Sequence, residues 1–343
     1  MRVLFAGSPA VAVPSLTMLS EMEMKGNGIV LAGILTNPDS RRGRHGRAEP
    51  TDISVAASEL DAIRKERGFP FISQLKPEKL DEHARDETAA LFPDLLVSFG
   101  CGHFFGPLFL ALFPLGGINI HPSLLPKYRG ASPVPAAILA MEKETGISIQ
   151  RIAPELDTGD IFTSDVFQLS GRETTLSLCE TVSRRAALLL SGLLLNFDPG
   201  AARPQEGEAV YCREIKKEAG LIDWTRSAAE IDAQIRAYTP WPLSFTCFGG
   251  NLLFILETLP LDALPGVQPG TPDALPGVQP GAPDAPPGAA PGTVLGTDKD
   301  HGILIQTGKG ILAVSKLQWQ AKKALDWKGF CNGSRNFMGA RLG

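Results

Sequence analysis

The sequence predicts an α/β domain with a parallel sheet at 1–203 and a small antiparallel β-barrel domain at 204–343, interrupted by an insert at 262–292. Three observations carry this expectation. Short apolar runs alternate with amphipathic stretches as far as Leu195, the pattern of strands joined by crossover helices that cover both faces of a sheet. Asp198-Pro-Gly and Arg203-Pro-Gln-Glu-Gly then read as a linker. Beyond it, short apolar runs separated by glycines dominate, as in small antiparallel barrels.

Residues 2–7 (RVLFAG) form a buried strand ended by Gly7-Ser8-Pro9, and a helix carrying Leu16, Leu19 and Met22 stops at Gly26. Ile29–Leu35 is the second strand, and Thr51 caps a helix reaching about Arg67. Pro70–Ser73 is expected as a third short strand, with Pro77 opening the next helix. Strands at Asp94–Phe99, Gly117–His121 and Ile147–Ile152 follow, with helices at Pro133–Glu142 and Thr174–Leu195. In the second domain Ser227 caps a helix to Ala237, with Glu230 in the capping-box position. Strands are expected at Leu243–Phe248, Leu252–Leu259, Thr293–Leu295, Gly302–Thr307 and Ile311–Leu317. The insert repeats DALPGVQPGTP, DALPGVQPGAP and DAPPGAAPG. Its Pro and Gly content offers too little apolar area to offset chain entropy, which points to an exposed loop dispensable for chemistry.

Composition excludes several classes. With 343 residues, 43% of them apolar, the chain can bury a sizeable core. No apolar run approaches the ~20 residues of a membrane span. The opening MRVLFAGSP has no long apolar region and no A-x-A-like site, so secretion is not expected. Cys101, Cys179, Cys212, Cys247 and Cys331 show no C-x-x-C spacing and read as reduced thiols of a cytoplasmic protein, with no metal site expected. Gly7-Ser-Pro lacks the G-x-G-x-x-G spacing, which argues against a dinucleotide site. The net charge of −4 hides two basic segments: four arginines within 41–47, and seven Lys/Arg against Asp326 within 309–343.

The chemistry is concentrated in Gly117-Ile-Asn-Ile-His-Pro-Ser-Leu-Leu-Pro-Lys-Tyr-Arg-Gly and Leu156-Asp-Thr-Gly-Asp160. Asn119 and His121 alternate on one strand, so both side chains leave the same face, at the strand end where open α/β sheets place ligands. Asp157 comes from a turn after the next strand. Moving an acyl group between nitrogens requires a donor to the oxyanion, a proton shuttle and a carboxylate beside the imidazole, and Asn119, His121 and Asp157 supply these types. No serine elbow or active-site cysteine pattern accompanies them, so direct amine attack is simpler than an acyl-enzyme. Taken singly, each residue is as well explained by a satisfied strand end or a turn; the conjunction carries the argument.

N-x-H-P-S-L-L-P-x-x-R-G followed by L-D-T-G-D resembles the formyltransferases that use 10-formyltetrahydrofolate. The opening F-A-G-S-P, T-N-P-D at 36–39, I-D-W at 222–224 and R-A-Y-T-P-W-P at 236–242 extend the resemblance to the methionyl-tRNA branch over nearly the whole chain apart from 262–292. It implies a Rossmann-like catalytic domain, an oligonucleotide-binding (OB-like) barrel and no metal. Asn119, His121 and Asp157 then match the catalytic trio, and Ser123, Leu124, Leu125 and Pro126 the folate-binding loop. Phe99 departs from the tyrosine common in the family, keeping the ring without the hydroxyl.

The resemblance also implies a methionyl initiator tRNA partner. The loop 36–51 is longer than an ordinary crossover, and Arg41, Arg42, Arg44 and Arg47 suit phosphates, Arg44 matching the family's key arginine. Lys216, Lys217, Lys322, Lys323 and Lys328 are expected to add backbone-type contacts, and the protein is expected to be monomeric. Three alternatives remain open: an amino-sugar-nucleotide formyltransferase; a glycinamide-ribonucleotide formyltransferase, which would leave the second domain unexplained; and a non-catalytic RNA-binding protein on the same fold.

Overall fold

Strand β1 (Arg2–Gly7) sits inside a seven-stranded sheet, and Val3, Leu4, Phe5 and Ala6 are completely buried, as a strand covered on both faces requires. The computed structural model describes residues 1–41, 47–265, 288–334 and 336–343. The chain divides into two units. One joins Met1–Pro133, Glu144–Gln168 and Ser177–Arg213; the other joins Val134–Lys143, Leu169–Leu176 and Glu214–Gly343.

In chain order β1 is followed by α1 (Val13–Met24), β2 (Val30–Leu35), β3 (Ser40–Arg41), β4 (Ala48–Glu49), α2 (Asp52–Glu66), β5 (Gln74–Leu75), α3 (Glu82–Ala89), β6 (Leu95–Phe99) and α4 (Pro107–Leu110). Then come β7 (Gly117–His121), β8 (Arg129–Gly130), α5 (Pro133–Leu139), β9 (Glu144–Arg151), β10 (Ile161–Gln168), α6 (Thr175–Leu195) and β11 (Tyr211–Cys212). The large sheet has the order β10-β9-β7-β6-β1-β2-β5. From β5 to β7 all neighbours are parallel, while β9 is antiparallel to both β7 and β10. The segment 134–143 belongs to the second unit, so no crossover helix of the first unit separates β7 from β9 and the chain returns alongside.

Local chemistry explains the boundaries. Thr51 caps α2 by accepting from Ser54 N at 3.2 Å. The third short strand is Gln74–Leu75 rather than Pro70–Ser73. α3 starts after Asp81, whose carboxylate accepts from Ala84 N at 3.1 Å; this cap, not the fixed φ of Pro77, sets the start. Beyond the linker expected at 198–207, Tyr211 and Cys212 lie alongside Arg129 and Gly130 in parallel register.

The second unit contains α7 (Ala228–Ala237), β12 (Ser244–Phe248), β13 (Asn251–Leu261), β14 (Val294–Asp298), β15 (Gly302–Gln306), β16 (Ile311–Trp319), β17 (Leu325–Asp326) and α8 (Trp327–Gly333). The strands form an antiparallel sheet of order β12-β13-β16-β15-β14, with β17 added to β16. Trp224, Ile231 and Ile235 pack with Ile255, Leu312 and Val314 in its core. The expected capping box is present at Ser227 and Glu230. The expectation for the Pro/Gly repeat lies largely outside the described residues, at 266–287. No helix among the described residues is long and apolar enough to cross a membrane.

Candidate active site

β7 and β9 build the floor of the site. Ile118 and Ile120 are buried on one face of β7, which sends Asn119 and His121 to the other. Antiparallel pairing sets Gln150 beside Asn119 and Ser148 beside His121. Asp157 then arrives from a turn in which Gly159 passes so close to the Arg151 carbonyl that a Cβ would collide with it. Asp157 itself takes a left-handed backbone, φ 56°.

The three residues expected to act together are brought together. Asp157 Oδ1 lies 3.5 Å from His121 Nδ1 and accepts from Asn119 Nδ2 at 3.5 Å. The same oxygen accepts from Gln150 Nε2 at 2.8 Å, and Oδ2 accepts from Gly130 N at 2.9 Å. His121 Nε2 lies 2.9 Å from the Tyr128 carbonyl, which can only accept, so Nε2 carries the hydrogen. In the neutral ring Nδ1 is therefore the free base. The tautomer is fixed by a backbone carbonyl, and Asp157 stands opposite the atom that takes up a proton.

Only 4% of His121 is exposed, and burial pushes its pKa below the ordinary histidine value against the opposing pull of the Asp157 charge and the Tyr128 carbonyl. The imidazole is thus neutral at neutral pH and ready to accept. Burial pushes the thiols of Cys101 and Cys179 up to about 11 and raises that of Cys212, which lies 3.3 Å from the Tyr128 carbonyl. These thiols are protonated at neutral pH and poor nucleophiles.

The loop after β7 is internally braced. Ser123 is fully buried and donates to the Lys127 carbonyl at 2.5 Å, while Leu125 N donates to Ser148 Oγ at 3.1 Å. Leu125 and Pro126 are buried, joined by a cis peptide, and Leu124 is half-buried. Ser123 therefore shapes the loop with its hydroxyl rather than offering it outward. Phe99 is buried in β6, 2% exposed.

Among the basic candidates, Arg41 is exposed in β3, paired with Ala48 of β4, and Arg47 is exposed beside that pair. Arg42 and Arg44 lie outside the described residues. Lys217 is exposed in a 3-10 turn, and Lys322 and Lys323 are exposed between β16 and β17. Sequence reasoning missed Gln150, Gln205 and the Tyr128 carbonyl. The alternation Ile147-Ser148-Ile149-Gln150 was the available signal, since it marks a polar face on a strand otherwise buried. Among the described residues no group of three or more His, Cys, Asp or Glu is placed to hold a metal ion.

Residues 1–191 match the formyl transferase family, and residues 214–335 match the formyl transferase C-terminal domain. A methionyl-tRNA formyltransferase of Treponema denticola is 45% identical over 98% of this chain and 98% of its own length. Among solved structures, a methionyl-tRNA formyltransferase from Clostridium thermocellum superposes with a TM-score of 0.52 at 17% identity, covering 76% of this chain and 93% of that one. An N-formyltransferase from Helicobacter canadensis, in complex with folinic acid and dTDP-3-aminofucose, gives 0.57 at 16% identity over 91% of this chain and 98% of that one. At such identities the two structures speak for the fold. The full-length match at 45% identity, together with the family matches to both halves, establishes that this chain belongs to the formyltransferase family.

Proposed function

We propose that this chain transfers the formyl group of 10-formyltetrahydrofolate to the amino group of methionyl initiator tRNA, in the cytoplasm, as a step of translation initiation. The observation that carries the chemistry is the convergence of Asn119 Nδ2 and His121 Nδ1 on Asp157 Oδ1. The acceptor follows the full-length similarity to methionyl-tRNA formyltransferases.

The acceptor α-amine has a free pKa near ~7.7, so a large neutral fraction is available to attack the formyl carbon. As its C–N bond forms, the carbonyl oxygen gains negative charge and the Asn119 amide donates to it. His121 Nδ1 takes the proton lost by the amine, and the resulting imidazolium faces Asp157 Oδ1. His121 returns that proton to the folate nitrogen as the bond from that nitrogen to the formyl carbon breaks. Tetrahydrofolate and the formylated acceptor leave, and no acyl-enzyme is needed. The loop Ser123–Pro126 supplies Leu124 as an apolar contact for the donor. Arg41, Arg42, Arg44, Arg47, Lys217, Lys322 and Lys323 take the tRNA phosphates.

The amino-sugar reading remains the rival, since sugar N-formyltransferases share this fold. The test is formylation by the purified chain with 10-formyltetrahydrofolate and methionyl initiator tRNA, run beside an amino-sugar nucleotide. Formylated methionyl-tRNA is the expected product; formylation of the sugar alone would overturn the acceptor, and of neither would overturn the reaction.

A further inference from the structure

Behind Asp157 lies a chain of amides that the mechanism above does not use. Gln150, 2% exposed, donates from Nε2 to Asp157 Oδ1 at 2.8 Å, closer than either Asn119 or His121 approaches that oxygen at 3.5 Å. Its orientation is not free. With Nε2 spent on the carboxylate, its Oε1 accepts from Gln205 Nε2 at 3.3 Å. Gln205 Nε2 has two hydrogens for three acceptors, since it also faces the carbonyls of Asp157 and Gly159 at 2.9 and 2.8 Å, so the longer contact to Gln150 is a shared one. The remaining oxygen of Gln205 accepts from Arg129 Nε and Nη2 at 3.1 and 2.6 Å. A guanidinium cannot accept a hydrogen bond, so Arg129 fixes which way Gln205 points; the Asp157 carboxylate accepts only, so Gln150 presents its N–H there, and the shared Gln205 hydrogen at Oε1 supports that orientation.

We propose that Gln150, oriented by Gln205 and Arg129, is a positioning residue for formyl transfer that aims the Asp157 carboxylate at His121. This rests on the functional reading above. Its physical content is a competition for Oδ1. Held by Gln150 and by the Gly130 N–H, the carboxylate stays at 3.5 Å from the Asn119 amide, leaving that amide able to donate to the developing oxyanion. Without the Gln150 donor, Oδ1 draws the Asn119 N–H into a short bond and turns from Nδ1 of His121.

The test compares steady-state formylation by wild type, Gln150→Met and Gln150→Glu between about pH 6 and about pH 9. Gln150→Met keeps the chain length and removes the donor. Losing a hydrogen bond to a charged group lowers kcat roughly ten- to hundredfold, with KM for donor and acceptor within about threefold. In Gln150→Glu two adjacent carboxylates do not both ionise, so the introduced group keeps its proton well above the ordinary carboxylate range. Protonated it donates to Asp157 as the amide does; ionised it repels it. The kcat ratio of Gln150→Glu to wild type therefore rises as the pH falls, while that of Gln150→Met stays flat. A ratio for Gln150→Glu that ignores pH, or wild-type kcat in Gln150→Met, overturns the proposal. Should Gln150→Met fail to fold, Gln205→Met carries the same kcat test, because it removes the amide that braces both Gln150 Oε1 and the Asp157 turn. Wild type that formylates beside indifferent variants refutes the positioning role alone; wild type that does not formylate refutes the functional reading, and the positioning role with it.

Discussion

Asp157→Asn isolates the charge that faces His121. The position has φ 56°, a left-handed backbone that asparagine adopts more readily than alanine, so the substitution changes charge with little added backbone strain. Nδ1 and Oδ1 stand 3.5 Å apart, and at an effective dielectric of about 20 a unit-charge pair at that distance attracts by about 5 kcal/mol. The attraction exists only while the ring is charged, so its loss falls on the transition state. Burial already opposes that charge, and the variant's amide dipole returns part of the lost attraction. At about 1.4 kcal/mol per tenfold, kcat should fall about 10²- to 10³-fold with little change in KM for either substrate. The new amide has one oxygen for three donors, Gln150 Nε2, Asn119 Nδ2 and Gly130 N, so stability should fall by about 1–3 kcal/mol, read separately in urea. A variant that folds and keeps kcat within about threefold of wild type would show that the imidazolium is not on the reaction path.

Two further expectations concern stability. Burial holds the pKa of His121, and of His103, below the unfolded histidine value of about 6.5. As pH falls past that value the unfolded chain binds the proton first, so this stability is complete above about pH 6.5 and is lost as pH drops through the folded pKa values. The urea midpoint should fall between about pH 7.5 and about pH 5, and fall less in His121→Gln; equal falls in the two proteins would remove His121 as the source. In the second unit, Ser227→Ala breaks the capping box in which Ser227 Oγ accepts from Glu230 N at 3.3 Å. That should cost about 1 kcal/mol and lower the midpoint with an unchanged denaturant slope, whereas an unmoved midpoint would show that the cap adds nothing to α7.

Much of the chain was legible because local rules and burial agree. Completely apolar runs such as Val3–Ala6 mark strands covered on both faces, and Ser227 with Glu230 marks a helix start without any tertiary information. The misplaced start of α3 shows two local signals in competition, with the Asp81 cap prevailing over Pro77. β10 left no clear trace because its burial alternates only partly along Ile161–Gln168, as suits an edge strand with a solvated face.

At the site, sequence alone determined the residue types and their shared face, since the side chains of a strand alternate whatever surrounds them: Asn119 with His121, and Ser148 with Gln150. What only the tertiary structure decided is how those faces meet. The antiparallel return of β9 sets Gln150 beside Asn119, and the turn closed by Gly159 brings Asp157 to both. The tautomer of His121 likewise depends on the Tyr128 carbonyl, a backbone group that every residue carries and no sequence pattern can advertise.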